Sequence, residues 1–272
     1  MQQIKGKLAL VTGAAMGMGK LLADKLGADG ARLLLVDLNG ELLEGTTKPE
    51  FEKKGYEVMT YVCDLSDKEA IATMVDWVKK NAGPVQILVN SAGVVFKSDL
   101  VDHDDGKFVK TFEINVYAVF RLMQAFLPEM LDADDGHVLN MASASGLMGV
   151  ANLSAYASSK WAVIGLTESA RYEAGLAGKH GVKFTSACPS FVGTGMFEGV
   201  KPPLMTPLLT PEHAVDIIYQ GFKNDKIIIL EPFMVKMTPF LKGVLPMKAY
   251  DKVAEWFGVH KAMDNFTGHK PN

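Results

Sequence analysis

A glycine-rich turn set directly between a strand and a helix constrains this chain more than any other feature. The apolar run Leu8-Ala9-Leu10-Val11 leads into Thr12-Gly13-Ala14-Ala15-Met16-Gly17-Met18-Gly19, which opens into the helix-forming Lys20-Leu21-Leu22-Ala23. Glycines at these positions permit a tight turn and close backbone approach to a pyrophosphate. The helix that follows presents free N–H groups and a partial positive charge to the same ligand. A side chain at Gly13 or Gly19 is expected to obstruct that approach, and Gly13, Met16, Gly17, Met18 and Gly19 are candidate cofactor contacts. Glycines alone suit any strand-to-helix turn. Asp37 adds the ligand: it ends the second apolar run, where an acid accepts both ribose hydroxyls of adenosine and repels a 2′-phosphate. Met16, Leu38 and Asn39 supply no cation for that phosphate, so NAD is expected in preference to NADP.

Short apolar, β-branched runs recur at 8–12, 32–36, 57–62, 85–89, 137–141, 182–187 and 226–230, mostly separated by segments of helical periodicity such as 17–29, 68–81, 107–131 and 153–178. Strands alternating with helices require right-handed crossovers. The expected fold is therefore α/β, a Rossmann-type, doubly wound, parallel seven-stranded sheet with helices on both faces, its ligands outside the carboxyl ends of the strands. With 48% apolar and 22% charged residues there is material for one core, and 1–272 is read as a single domain. The one irregular insertion is the proline-rich stretch from Pro202.

Several function classes are excluded by the same inspection. A net charge of −3 gives no basic field for nucleic acid. Cys63 and Cys188 lack Cys-x-x-Cys spacing, which suits a reducing compartment. The apolar stretch 227–245 is broken by Glu231, Pro232, Lys236, Pro239 and Lys242, so no transmembrane segment is expected, and the expected location is the cytoplasm. The six histidines, including His269, lack zinc-ligand spacing, and no metal is expected.

Asn90-Ser91-Ala92-Gly93 follows the fourth strand, Asn115 lies within a long helical segment, Ser143 follows the fifth strand, and Tyr156-Ala157-Ser158-Ser159-Lys160 lies on a helix. Together with the glycine turn, this ordered set resembles the classical short-chain dehydrogenase/reductase family from about Lys5 to Leu230. Tyr156 and Lys160, four apart, share a helix face, and a cation beside the phenol is expected to lower its pKa toward the range useful for proton transfer. Tyr156 would take the alcohol proton while hydride moves to nicotinamide, and Ser143 would hydrogen-bond the substrate oxygen where charge develops. The resemblance implies that Asn115 distorts its helix and holds a water serving Lys160, and that Lys160 also grips the nicotinamide ribose. It further assigns Asp64 and Leu65 to the adenine, Asn90, Ala92 and Gly93 to the nicotinamide half, and Pro189, Val192 and Thr194 to the carboxamide side. Two positions depart from the family pattern: Ser91 replaces a usual Asn and Ser190 a usual Gly. Asp64 alone would suit a helix cap, and Thr194 a cap before Gly195-Met196-Phe197.

The substrate walls are expected from Phe96 and from Leu147, Met148, Val150, Leu153, Phe191, Met196, Phe197, Leu204, Met205, Leu208 and Leu209, none of which clamps a carboxylate or phosphate. A bulky or long-chain hydrophobic alcohol or ketone fits such walls; a smaller cyclic alcohol or polyol, or a non-catalytic dinucleotide sensor, is the alternative. The segments Val89-Asn90-Ser91-Ala92-Gly93-Val94-Val95, Leu127-Pro128 and Ile227-Ile228-Ile229-Leu230-Glu231-Pro232 are similar to the branch related to 17-beta-hydroxysteroid dehydrogenase types 11 and 13, which handles steroids, retinoids and long-chain alcohols. A substrate lid is expected at about 195–210 and a C-terminal extension at about 232–272, either covering the pocket, joining subunits or meeting a membrane surface. By family resemblance the chain is expected to form a homodimer or homotetramer.

Overall fold

Strand β1 (Leu8–Thr12) is buried along its whole length because helices cover both of its faces. Around it lie β2 (Arg32–Asp37), β3 (Val58–Val62), β4 (Ile87–Asn90), β5 (Gly136–Met141), β6 (Val182–Pro189) and β7 (Ile228–Glu231). They pair in the order β3-β2-β1-β4-β5-β6-β7, every pair parallel. This is the seven-stranded, doubly wound sheet expected from the alternation. The computed structural model describes residues 3–268; residues 1–2 and 269–272, with His269 and the end of the expected extension, lie outside the described residues.

The helices are α1 (Gly17–Ala28), α2 (Gly40–Leu42), α3 (Lys48–Lys53), α4 (Lys68–Asn81), α5 (Asp105–Phe112), α6 (Ala118–Ala133), α7 (Ser154–Leu176), α8 (Pro211–Lys223), α9 (Phe233–Val244) and α10 (Met247–Trp256). Alternate residues of each strand point to opposite faces. Leu8 and Leu10 join Met74, Phe126 and Val163 on one side, whereas Ala9 and Val11 join Leu22, Phe51 and Phe222 on the other. The order reverses at β1, which parts β2 from β4 and opens a crevice between the loops that follow β1 and β4.

The helical segment 107–131 is distorted at Asn115, as the family resemblance implies: a wider turn over Glu113–Tyr117 joins α5 to α6. Two local expectations change. Asp64 does not cap α4, because Asp67 accepts from the N–H groups of Glu69 and Ala70. No helix follows Thr194, where Gly195 and Gly199 take φ of 89° and 76° and Pro202 and Pro203 come next. Residues 194–199 form turns instead.

His137 is wholly buried on β5, stacked on Phe222 with ring centroids 4.1 Å apart. Thr185 Oγ1 donates to Lys226 O, so His137 Nε2, 2.8 Å away, is the donor to that hydroxyl and the ring is neutral. Burial, with Lys183 and Lys7 nearby, holds its pKa down at about 3, and Asp225 Oδ1 at 3.9 Å does not offset this. A folded-state pKa below the unfolded value means that protons bind preferentially to the unfolded chain. Stability is therefore complete above about pH 6.5 and is lost as the pH falls from there toward 3. Urea unfolding at pH 7.5, 6 and 5 should show this decline, and His137→Leu should flatten it.

Candidate active site

A cleft of about 390 Å³ opens beyond the carboxyl ends of β1, β2, β3 and β4. Gly13, Met16, Gly17, Met18, Gly19, Asp37, Asp64, Leu65, Ala92, Gly93 and Thr194, all singled out in the sequence, line it. At the start of α1, Met16 makes no side-chain cap, which leaves the first-turn N–H groups to a ligand. Asp37 accepts from Ala15 N–H at 2.9 Å through Oδ2 and from Asn39 N–H at 2.9 Å through Oδ1. Its carboxylate thus steadies the glycine turn while each oxygen keeps a lone pair. Asp64 Oδ1 accepts from the N–H and hydroxyl of Ser66, which, with burial opposing, holds its carboxyl below the usual carboxylate range.

The glycines are required by the chain itself before any ligand. A Cβ on Gly19 would overlap Gly13 O, and one on Gly13, at φ 66°, would lie 2.9 Å from the backbone of Ala92. The turn is thus packed against the loop after β4. Thr12, which the sequence reading passed over, locks the same contact: its Oγ1 accepts from Ser91 N–H at 3.0 Å and from Ala92 N–H at 3.2 Å. A threonine closing the first strand was the available signal.

Asn90 is not in the cleft. It is buried, and its Nδ2 donates to Asn140 Oδ1 at 2.7 Å in a chain that continues through Thr167 to Val163 O. As the last residue of β4 its side chain is directed into the packed layer, one residue before the loop turns toward the cleft. Pro189 and Val192 also stand outside the cleft lining. Val192 is buried against Leu209 and Ala214, and its carbonyl accepts from Thr194 N–H at 2.8 Å.

Asn115 grips Val94 at two points: Oδ1 accepts from Val94 N–H at 2.9 Å and Nδ2 donates to Val94 O at 3.0 Å. Nδ2 also reaches Ser159 Oγ at 3.1 Å, which ties the wider turn of the α5–α6 junction to α7. Lys160 is buried behind Gly93, where an added Cβ would lie 3.6 Å from its Nζ, and it donates to Met141 O at 2.8 Å. Its Nζ stands 5.5 Å from the centre of the Tyr156 ring. The lowered tyrosine pKa expected from that neighbour does not result. Burial pushes Tyr156 up to about 12 against a lowering hydrogen bond from Ser143, and burial brings Lys160 down to about 8. Desolvation outweighs the cation here, because the ammonium faces the ring and a carbonyl.

Ser143 and Tyr156 open into a second cavity, about 100 Å³, walled by Met148, Val150, Leu153, Phe191, Phe197 and Leu204 as expected. Phe96 and Met196 line the dinucleotide-sized cleft instead. Leu147 packs on the core and Leu209 on Val192, while Met205 and Leu208 face solvent. The remaining wall comes from the C-terminal extension, through residues such as Val235, Thr238 and Leu241 of α9 and Tyr250 and Ala254 of α10. Lys201 N–H binds Ala262 O, Leu204 N–H binds Phe257 O, and Thr267 N–H binds Glu198 O, so the 198–204 and 257–267 segments close over Tyr156 together. Phe197 meets the Tyr156 ring edge-on at 5.7 Å.

Residues 7–204 match the short chain dehydrogenase family. Epidermal retinol dehydrogenase 2 of Homo sapiens is 37% identical over 99% of this chain and 88% of its own length. Estradiol 17-beta-dehydrogenase 11 of Macaca fascicularis is 37% identical over 90% of this chain and 81% of its own length. Among solved structures, a short chain dehydrogenase/reductase from Burkholderia phymatum in complex with NAD superposes with a TM-score of 0.78 at 25% identity, covering 94% of this chain and 97% of that one. A metagenomic short-chain oxidoreductase in complex with NADP gives 0.68 at 31% identity, covering 80% and 91%.

Thr12→Val keeps the shape of the side chain but leaves two N–H groups of the β4 loop without their acceptor. It should cost about 1–3 kcal/mol in urea unfolding and weaken dinucleotide binding measured by calorimetry.

Proposed function

The chain belongs to the short-chain dehydrogenase family, and on that premise we propose that it is an NAD(H)-dependent oxidoreductase that interconverts a hydrophobic alcohol and its carbonyl compound. The observation that carries this reading is the placement of Ser143 and Tyr156 in an apolar cavity, with Lys160 buried behind Gly93 at the wall of the neighbouring cleft. The cleft suits a nicotinamide dinucleotide: a glycine turn, an uncapped helix start and the Asp37 carboxylate converge on it, and none of its lining residues is Lys or Arg. That charge pattern supports NAD over the phosphorylated form.

A bound nicotinamide supplies the acceptor of hydride in alcohol oxidation and its donor in the reverse reaction. Tyr156 Oη takes the alcohol proton in oxidation and returns it in reduction. Ser143 donates to the substrate oxygen, orienting it and stabilising the charge that develops there. Lys160 holds a positive charge within reach of the ring and stands where the ribose of the cofactor would meet the chain. Asn115 positions the strip Gly93-Val94 beside it and maintains the wider turn. The lining is largely apolar, which strengthens each of these interactions.

The names of the two relatives, a retinol and an estradiol dehydrogenase, support an apolar alcohol as the substrate class. With residues 198–204 and 257–267 seated, the cavity takes a small cyclic alcohol, whereas drug-sized ligands occupy pockets of about 300–1,000 Å³. A steroid- or retinoid-like substrate therefore enters with those segments displaced, so that the 195–210 lid and the described part of the extension, 232–268, serve as one cover. The wider turn, α6 and α7 expose Tyr117, Phe120, Trp161 and Tyr172, which supports assembly into a homodimer or homotetramer.

Tyr156→Phe should retain NADH binding by fluorescence yet lose turnover by about a hundredfold or more; near-normal kcat would refute its role. Alcohol oxidation needs the phenol deprotonated and should accelerate from pH 7 to 9, whereas carbonyl reduction, which draws on the protonated phenol, should stay nearly level over that range because Tyr156 lies near 12. The ratio of kcat/KM for NAD to that for NADP should be well above one and should fall in Asp37→Ser. A panel of steroids, retinoids, long-chain alcohols, cyclic alcohols and polyols, followed by absorbance at 340 nm, should favour the hydrophobic members; preference for polyols would refute the substrate class.

A further inference from the structure

The cavity holds polar groups away from its reacting end, and one of them lacks a proper partner. Thr206 donates its hydroxyl to Pro203 O at 2.7 Å and Thr238 donates to Met234 O at 3.3 Å, so both protons are engaged. Tyr250, on α10, is only 8% exposed, and among the described residues its hydroxyl donates to Met148 Sδ at 3.7 Å. A thioether is a weak acceptor. Buried phenols ordinarily find a full-strength one, because an unmet donor carries a desolvation penalty. Met148 and Tyr250 both line the cavity, so the place where that acceptor is missing belongs to the substrate volume.

We propose that Tyr250 is a second substrate anchor: its hydroxyl donates to a neutral oxygen that the substrate carries at a distance from the carbon being oxidised or reduced. The inference rests on the reading of this cavity as the substrate site and narrows the substrate from hydrophobic alcohols in general to those with a second oxygen, such as hydroxy-ketones, diketones or diols. The oxygen is neutral because no Lys, Arg or His lines the cavity to balance a carboxylate or phosphate. Burial, with Asp251 adding to it, raises the Tyr250 pKa and keeps the group a donor. Because α10 belongs to the C-terminal extension, the same contact would hold the cover shut once the oxygen is in place.

The test compares a hydroxy-ketone with the alcohol of the same carbon skeleton that lacks the distal oxygen, using the full chain with NAD. Wild-type protein should favour the oxygenated compound by about tenfold in kcat/KM, chiefly through KM, the size expected for one satisfied hydrogen bond. In Tyr250→Phe the ratio should collapse toward one. Dissociation constants for the same pair, read from intrinsic tryptophan fluorescence, should move in parallel and report even for a compound that is turned over slowly. A wild-type ratio near one, or a ratio unchanged in Tyr250→Phe, overturns the proposal, and the wild-type measurement stands even where the variant folds poorly. Tyr156→Phe assayed alongside separates the two claims. Sustained turnover in that variant defeats the assignment of the reaction to this cavity, whereas its inactivity with an unaltered Tyr250 ratio defeats the second anchor alone.

Discussion

Everything in the site depends on how closely two backbone segments approach where the sheet order reverses. The glycine turn after β1 lies against the loop after β4 with no room for a Cβ at Gly13, and the first turn of α1 lies over Gly13 O with no room for one at Gly19. Thr12 Oγ1 joins the same two segments by accepting two N–H groups from the β4 loop. Asp37 fastens the turn to β2 through Ala15 N–H. The cleft is therefore a rigid consequence of strand pairing, with its donors pointed outward before any ligand arrives, and such preorganisation reduces the ordering cost of binding.

The pair Tyr156 and Lys160 shows burial competing with charge. Both are buried, and burial disfavours the charged form of each, raising the phenol and lowering the ammonium. The two shifts bring the lysine to about 8, while the tyrosine moves away from neutrality. Hydrogen bonding from Ser143 works in the opposite direction and makes the serine part of the electrostatic tuning. A fixed dry environment of this kind makes each donor count for more than it would in water.

The C-terminal extension supplies what the core of the fold lacks. Residues after β7 return across the sheet's carboxyl end, wall the apolar cavity through α9 and α10, and join the 198–204 segment by backbone hydrogen bonds. Lys242 of α9 ties the extension to the loop after β5 and to α7, donating to Leu147 O at 2.8 Å and standing 4.6 Å over the ring of Trp161. Much of the wall of the apolar cavity thus comes from segments outside the seven-stranded sheet and its crossovers.

The strand–helix alternation and the glycine turn with Asp37 were legible in the linear sequence, because side-chain periodicity and the conformational needs of glycine are local properties. The identities at Ser143, Tyr156 and Lys160 were legible through their order and spacing. Tertiary structure decided the rest. It directed Asn90 into the sheet layer, gave the capping of α4 to Asp67, and set Phe96 and Met196 in the cleft instead of the cavity. It reversed the expected tyrosine shift, since burial depends on what covers a group and no spacing along one helix reveals that. It also brought α9 and α10, remote from Tyr156 in the chain, to the wall of the same cavity, a placement that only the packing of apolar faces against one another determines.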